Sequence, residues 1–228
     1  MGHPPSEPAD PYLTLAAAAA RWDRVAARLG ADTRARLAEL LTVVRHADAP
    51  GRHSCAVQAA GLLRQRLPDE FGADAQARLA GVHTAQGGPP TVQGFGTEDL
   101  AVLLIDGHRM VGPVLGPVRE RLLAEPALDA ETVQRAGGEP YAPDLIRLRG
   151  AGGRLRLPRF QFSEETLPWL VVLEVNALLD AGHDPWGAAD WWLSANAWLG
   201  TSPVRLLGTG RDRQLVETAR FLMDSEGG

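Results

Sequence analysis

Residues Asp184 to Leu207 read DPWGAADWWLSANAWLGTSPVRLL, and with the apolar run that begins at Leu167 they hold five of the six tryptophans, Trp169, Trp186, Trp191, Trp192 and Trp198. The punctuation is that of a short helix. Asp184 is a natural N-cap, Pro185 suits the first helical position, and Gly200 and Pro203 mark a stop and a new start. On such a helix Trp191 and Trp192 project about 100° apart, and Trp192 and Asn196 are i,i+4 neighbours. Two adjacent large aromatics are hard to bury together in a small bundle. Trp186 and Trp191 are therefore assigned to the core, and Trp192 and Trp198 to a surface that meets another molecule.

Working outward, Pro168 to Ala181 carries Leu170, Val171, Leu173, Val175, Leu178 and Leu179. It is apolar on most sides, as expected of a central helix. Downstream, Pro203–Leu207 reads as a short helix, Gly208–Thr209–Gly210 as a turn, and Arg211–Met223 as a last helix with Leu215, Val216, Ala219 and Leu222 on one side. These pieces form an expected C-terminal helical domain over residues 163–224.

Upstream, Asp129 can cap a helix from Ala130 to Ala136 that Gly137–Gly138 ends, and Asp144 can cap a second from Leu145 to Leu148. The pair resembles a degenerate helix-turn-helix. Next, Arg147–Leu148–Arg149 and Arg154–Leu155–Arg156–Leu157 alternate around Gly150–Ala151–Gly152–Gly153, which predicts a β-hairpin. A four-residue connection places its arginines on one face and its leucines on the other. Two readings stay open for that face. Arg147, Arg149, Arg154, Arg156 and Arg159 contact DNA phosphates, or they are simply the solvated side of a small sheet. Residues 98–162 form this expected helix-turn-helix-like region.

The N-terminal half is helical by pattern. Residues 1–12 are polar and proline-rich, the composition of a disordered tail. Residues 13–85 hold expected helices at Leu13–Leu29, after an Asp32 cap, at Ser54–Leu67 and at Asp74–Val82. Gln86 to Thr97, QGGPPTVQGFGT, is a candidate linker; its GFG lacks the Gly–Lys–Ser/Thr ending of a phosphate loop. Leu100–Ile105 is read as helix rather than strand.

Composition narrows function. The chain has 228 residues, 45% hydrophobic and 22% charged, the balance of a folded protein. Its net charge of −5 argues against a general nucleic-acid binder. It contains no lysine, so all 23 basic residues are arginine, which with the Ala, Gly and Pro load points to codon bias in a high-GC genome. One cysteine, no apolar run of membrane-spanning length and no signal peptide give an expectation of a cytoplasmic protein with no membrane contact. His46, His53 and Cys55 match no metal spacing and read as loop histidines and a buried thiol. Glu164–Glu165 and Asp180–Asp184 read as cap and loop charges. With no activated nucleophile, metal cluster or paired carboxylates, the expectation is a protein without catalytic residues, metal or cofactor.

The end of the chain resembles the toxin-binding domain of the Xre/MbcA/ParS antitoxin family. Trp192, Asn196, Leu199–Gly200, Pro203 and Leu206–Leu207 carry the likeness, followed by a glycine-bearing turn and a last helix. Actinobacterial members show a GRLRLPRFQF-like stretch before a DPWGAADWWLSANAWLG-like one, and both stand here, at Gly153–Phe162 and Asp184–Gly200. The likeness covers about Leu145 to Met223, with a shorter loop before Pro203 than many members have. It implies an antitoxin that neutralises a RES-domain toxin, an NAD-degrading enzyme, and that represses its own promoter by binding operator DNA. A homo-oligomer is expected. The implied toxin-covering surface is Trp192, Asn196 and Trp198 with Arg211, Arg213 and Arg220. The competing reading is a DNA-binding transcriptional regulator that uses the C-terminal domain to dimerise and has no toxin partner.

Overall fold

The computed structural model describes residues 10–72, 90–163 and 167–226. They are mainly helical, with one small three-stranded antiparallel sheet. The chain divides into two compact units, residues 1–117 and 118–228, each with its own hydrophobic core.

In the first unit the Asp10 carboxylate accepts from the Tyr12 amide at 2.9 Å and caps α1 (Pro11–Ala20), so Pro11 and Tyr12 belong to a helix rather than to a tail. The alanine run is its packing surface. Ala16, Ala17 and Ala18 are fully buried, and their small side chains let α1 lie close against two later helices, Ala49–Arg66 and Thr97–Ala101. The expected single helix breaks at Arg21, whose φ of −120° and ψ of 24° leave helical geometry, and resumes as α2 (Trp22–Arg28). The longest helices, α3 (Ala31–His46) and α4 (Ala49–Arg66), pack on each other; Gly30 rather than Asp32 caps α3, and Asp48 caps α4 through the Gly51 amide at 3.0 Å. His46 and His53 thus stand on helices, not in a loop, and Cys55 is half-buried. The short α5 (Pro68–Phe71) carries Glu70, buried beneath Arg21, Arg24 and Arg28. The expected helix at 74–82 lies outside the described residues.

The expected linker at 86–97 is not where the chain divides. From residue 90 it is part of the first core: Val92 is buried, and Val92 and Phe95 exchange backbone hydrogen bonds of 2.9 and 3.0 Å around Gln93 and Gly94. Gly94, at φ +80°, sits so close to Pro113 that a Cβ would lie 2.9 Å from that ring. Helix α6 (Thr97–Ala101) follows and widens into a π-helical turn, Val102–Asp106. Asp99 ties the segment together, accepting from the Gly96 amide at 2.8 Å and the Gly112 amide at 3.0 Å. The division falls at Pro117 inside α7 (Gly112–Ala124), where proline removes one helical hydrogen bond.

The second unit opens with β1 (Ala127–Leu128) and α8 (Ala130–Arg135), whose cap is Asp129 accepting from the Thr132 amide at 2.7 Å. The second helix expected over Leu145–Leu148 does not form. The Ile146 amide donates to Gln161 Oε1 at 2.7 Å and its carbonyl accepts from Gln161 Nε2 at 3.0 Å. That pairing takes the backbone groups a helix would use, and no helix-turn-helix is made by residues 129–148.

The hairpin is present as β2 (Leu148–Arg149) and β3 (Leu155–Pro158), with β3 central between β1 and β2. Its register differs by one residue from the expected one. Gly150 N donates to Arg154 O at 2.9 Å, so the connection is Ala151–Gly153, with Gly152 and Gly153 at φ +70° and +72°. Leu148 consequently pairs with Arg156, and Arg149 with Leu155. A slip of one moves every side chain to the other face, and arginines and leucines are mixed on both.

Three helices complete this unit: α9 (Leu170–Leu178), α10 (Pro185–Leu193) and α11 (Asp212–Glu226), with a 3-10 turn at Pro203–Leu206 between the last two. Asp184 caps α10 through the Gly187 amide at 2.9 Å, and a Cβ at Gly187 would stand 2.1 Å from that carboxylate, which explains the glycine. No helix among the described residues is long and apolar enough to cross a membrane.

Candidate interaction surface

The tryptophan-rich stretch splits into an inner and an outer part. Trp192, expected on the surface, is completely buried. Its indole N–H donates to Asn176 Oδ1 at 2.8 Å; Asn176 Nδ2 donates to Asp144 O at 2.8 Å and to Gln161 Oε1 at 3.1 Å. Gln161 and Asn176 are themselves fully buried, so this is a closed polar chain inside the core, running from α10 through α9 to the strand-like segment at Ile146. Trp191 packs edge-on against Trp192 with ring centroids 5.1 Å apart, and Phe160 lies 5.6 Å from Trp192 on another side. Adjacent indoles pack together here because they meet at right angles, the arrangement their quadrupoles favour. Trp186 and Trp191 are half-buried against the same core.

Helix α10 stops at Leu193, short of the expected Gly200. The cause is Asn196. Its side-chain oxygen accepts from the amides of Trp198 at 3.0 Å and Leu199 at 3.2 Å, a local turn that competes with the helix. A bridge from Asn196 to Thr201 closes the loop, with Gly200 at φ +70°. Asn196 is therefore a positioning residue, and what it positions is Trp198, 61% exposed.

Trp198 has a partner absent from the sequence reading. Phe221 of α11, 56% exposed, meets it edge-to-face at 5.2 Å. The signal for Phe221 was available. Leu215 and Ala219, with the half-buried Leu222, form the inward stripe of α11, and Phe221 is a large apolar residue out of phase with it.

Of the predicted arginines, Arg213 and Arg220 lie elsewhere on α11, and Arg211 just precedes it. Arg213 and Arg220 line a groove of about 480 Å3 with Leu170, Val171, Glu174 and Val216. At about 100° per residue Phe221 points well away from this groove, so the structure does not unite Trp198 with Arg213 and Arg220. Arg213 pairs with Glu217 at 2.6 Å, which raises its pKa; Arg220 approaches Glu174 at 3.9 Å, and Arg211 bonds Gln214 at 2.7 Å. All three are exposed, and such pairs yield readily to a competing partner.

The arginines of the hairpin form no common basic face. Arg156 is half-buried and donates to the carbonyls of Leu123 at 3.0 Å and Glu125 at 3.1 Å, capping the end of α7. Arg159 donates to Phe162 O and Arg147 to Tyr141 O, each at 2.7 Å. Only Arg149 and Arg154 are exposed without a hydrogen-bond partner among the described residues, and the pairing sets them on opposite faces.

No family model matches the chain, and no solved structure matches it. Among curated proteins it is similar to one named "Probable DNA ligase" from Anaeromyxobacter dehalogenans, 33% identical over 196 residues, covering 79% of this chain and 37% of that protein. The chain thus spans little more than a third of that relative's length.

Proposed function

We propose that this protein is an antitoxin-type binding module of the cytoplasm, whose C-terminal unit neutralises a RES-domain, NAD-degrading toxin. One observation carries the reading: an exposed aromatic pair, Trp198 and Phe221, stands on a loop and a helix of the second unit. Monomeric surfaces seldom spend two large aromatics in this way, and aromatic residues of this kind dominate interface energetics. The pair falls inside the region that resembles the Xre/MbcA/ParS toxin-binding domain. We assign the chain no catalytic role. It has no lysine, so no step through a lysine amine can be carried by it.

The test is inhibition of a RES-domain toxin, the partner class that the resemblance implies, followed as NAD consumption. The full chain is expected to inhibit stoichiometrically. Trp198→Ala should raise the inhibition constant by about 10- to 100-fold, the usual scale for an aromatic anchor. Equal inhibition by the variant, or none by the parent, overturns the reading.

The competing reading is a DNA-binding regulator that dimerises through the C-terminal unit and has no toxin partner. It predicts salt-dependent retention of the chain's own upstream DNA in a mobility-shift titration and no binding to the toxin.

A further inference from the structure

In the first unit two cavities adjoin, of about 490 and 500 Å3, and both are lined by Trp22, Leu103 and Arg109. Each is of the size that takes one small ligand. The first lobe adds Phe95 and Leu115 as apolar walls and Arg21, Arg24 and Asp23 at its rim; the second adds Arg34. Four arginines against one aspartate leave the lining at +3, or +2 when the buried Glu70 beneath Arg21 and Arg24 is included. That stands out on a chain of net charge −5.

Two of the charges, Arg21 and Arg24, are anchored on Glu70. Glu70, whose side chain is 4% exposed, receives Arg24 Nε at 2.6 Å and Arg21 at 3.6 Å. One carboxylate cannot occupy ten guanidinium donors, so both arginines keep donors for an anion. Arg109 pairs with Asp23 at 2.7 Å with both side chains more than three-quarters exposed, a contact an incoming anion can displace. Arg34 has no partner among the described residues. The floor is the π-helical turn that carries Leu103, a local irregularity frequent at binding sites.

An apolar wall beside two anchored and two exposed guanidinium groups fits a ligand with an aromatic ring at one end and a phosphate at the other. An acidic peptide fits less well, since the lining offers no strand edge for its backbone. We propose that this cleft binds a free nucleotide, its base against Trp22 and its phosphates among Arg21, Arg24, Arg34 and Arg109.

The experiment is calorimetric titration of the full chain with ATP, adenosine, inorganic phosphate and a short single-stranded oligodeoxynucleotide at about 0.15 M salt, where exposed charges are screened beyond about 8 Å. ATP should bind saturably, and adenosine and phosphate at least tenfold more weakly each. Arg109→Gln and Arg34→Gln, both at exposed positions, should each weaken ATP binding at least threefold, and together at least tenfold, with unchanged thermal melts. Trp22→Leu should weaken it at least tenfold. Unaltered binding in the double arginine variant or in Trp22→Leu overturns the proposal. Equal binding of phosphate alone marks an unselective anion site and overturns it as well. An oligonucleotide bound tenfold tighter than ATP overturns the free nucleotide in favour of a strand.

Discussion

Trp192 and Trp198 stand six positions apart with the same side chain, and their surroundings give them opposite roles. Trp192 ends in a hydrogen bond to Asn176 inside a sealed network, whereas Trp198 has its indole over solvent and Phe221. Replacing Trp192 by Phe removes the donor and leaves Asn176 Oδ1 buried without a partner, a penalty of about 1–3 kcal/mol before any packing loss. Trp192→Ala adds a large cavity and should cost about 3–5 kcal/mol. Trp198→Ala should leave stability nearly unchanged. Chemical denaturation monitored by circular dichroism checks all three; a Trp192→Phe variant as stable as the parent would show the network to be dispensable. Sequence alone could not sort the two indoles. A helical wheel assumes the helix continues, and Asn196 ends it.

At the scale of elements, most helices were legible because apolar periodicity and Asp caps act locally: α4, α8, α9, α10 and α11 all lie within their expected stretches or extend them. What was not legible depended on partners distant in sequence. Ile146 is withheld from a helix by Gln161, fifteen positions on, and the hairpin register depends on how tightly Gly152 and Gly153 turn, not on the alternation beside them. The hairpin makes a direct prediction. Arg156→Ser should lower the melting temperature, because two carbonyls at the end of α7 lose their donor, while Arg149→Ser and Arg154→Ser should not. If the chain does hold DNA through the hairpin, the Arg149/Arg154 double variant should reduce the salt slope by about 2, the scale for two phosphate contacts. The cap of α8 makes another. Hydrogen bonds from Thr132 hold the Asp129 carboxyl below its ordinary value of 3.8. A group with a depressed folded pKa contributes stability that is full above 3.8 and fades as pH falls through the folded value. Asp129→Asn should therefore melt below the parent near neutral pH and converge on it in strong acid. A difference that stays constant from pH 7 to below 3 refutes this account.

At the scale of the whole molecule, the two cores have different tasks. The first is assembled around an alanine-faced helix and bounds a basic cleft; the second encloses a polar network and presents an aromatic pair. A unit with its own closed core can fold alone. A fragment beginning at Gly112, so that α7 is kept whole and Leu122 stays in the second core, should give one cooperative thermal transition. If toxin neutralisation resides in Trp198 and Phe221, that fragment should inhibit the RES-domain toxin with the affinity of the full chain, and ATP should not bind it. The complementary fragment, residues 10–117, should keep any nucleotide binding and inhibit nothing. The division at Pro117 is the stringent part of the prediction, since it cuts inside a helix. A fragment from Gly112 that melts without cooperativity, while the full chain melts in a single transition, would show that the second core is completed by the first unit.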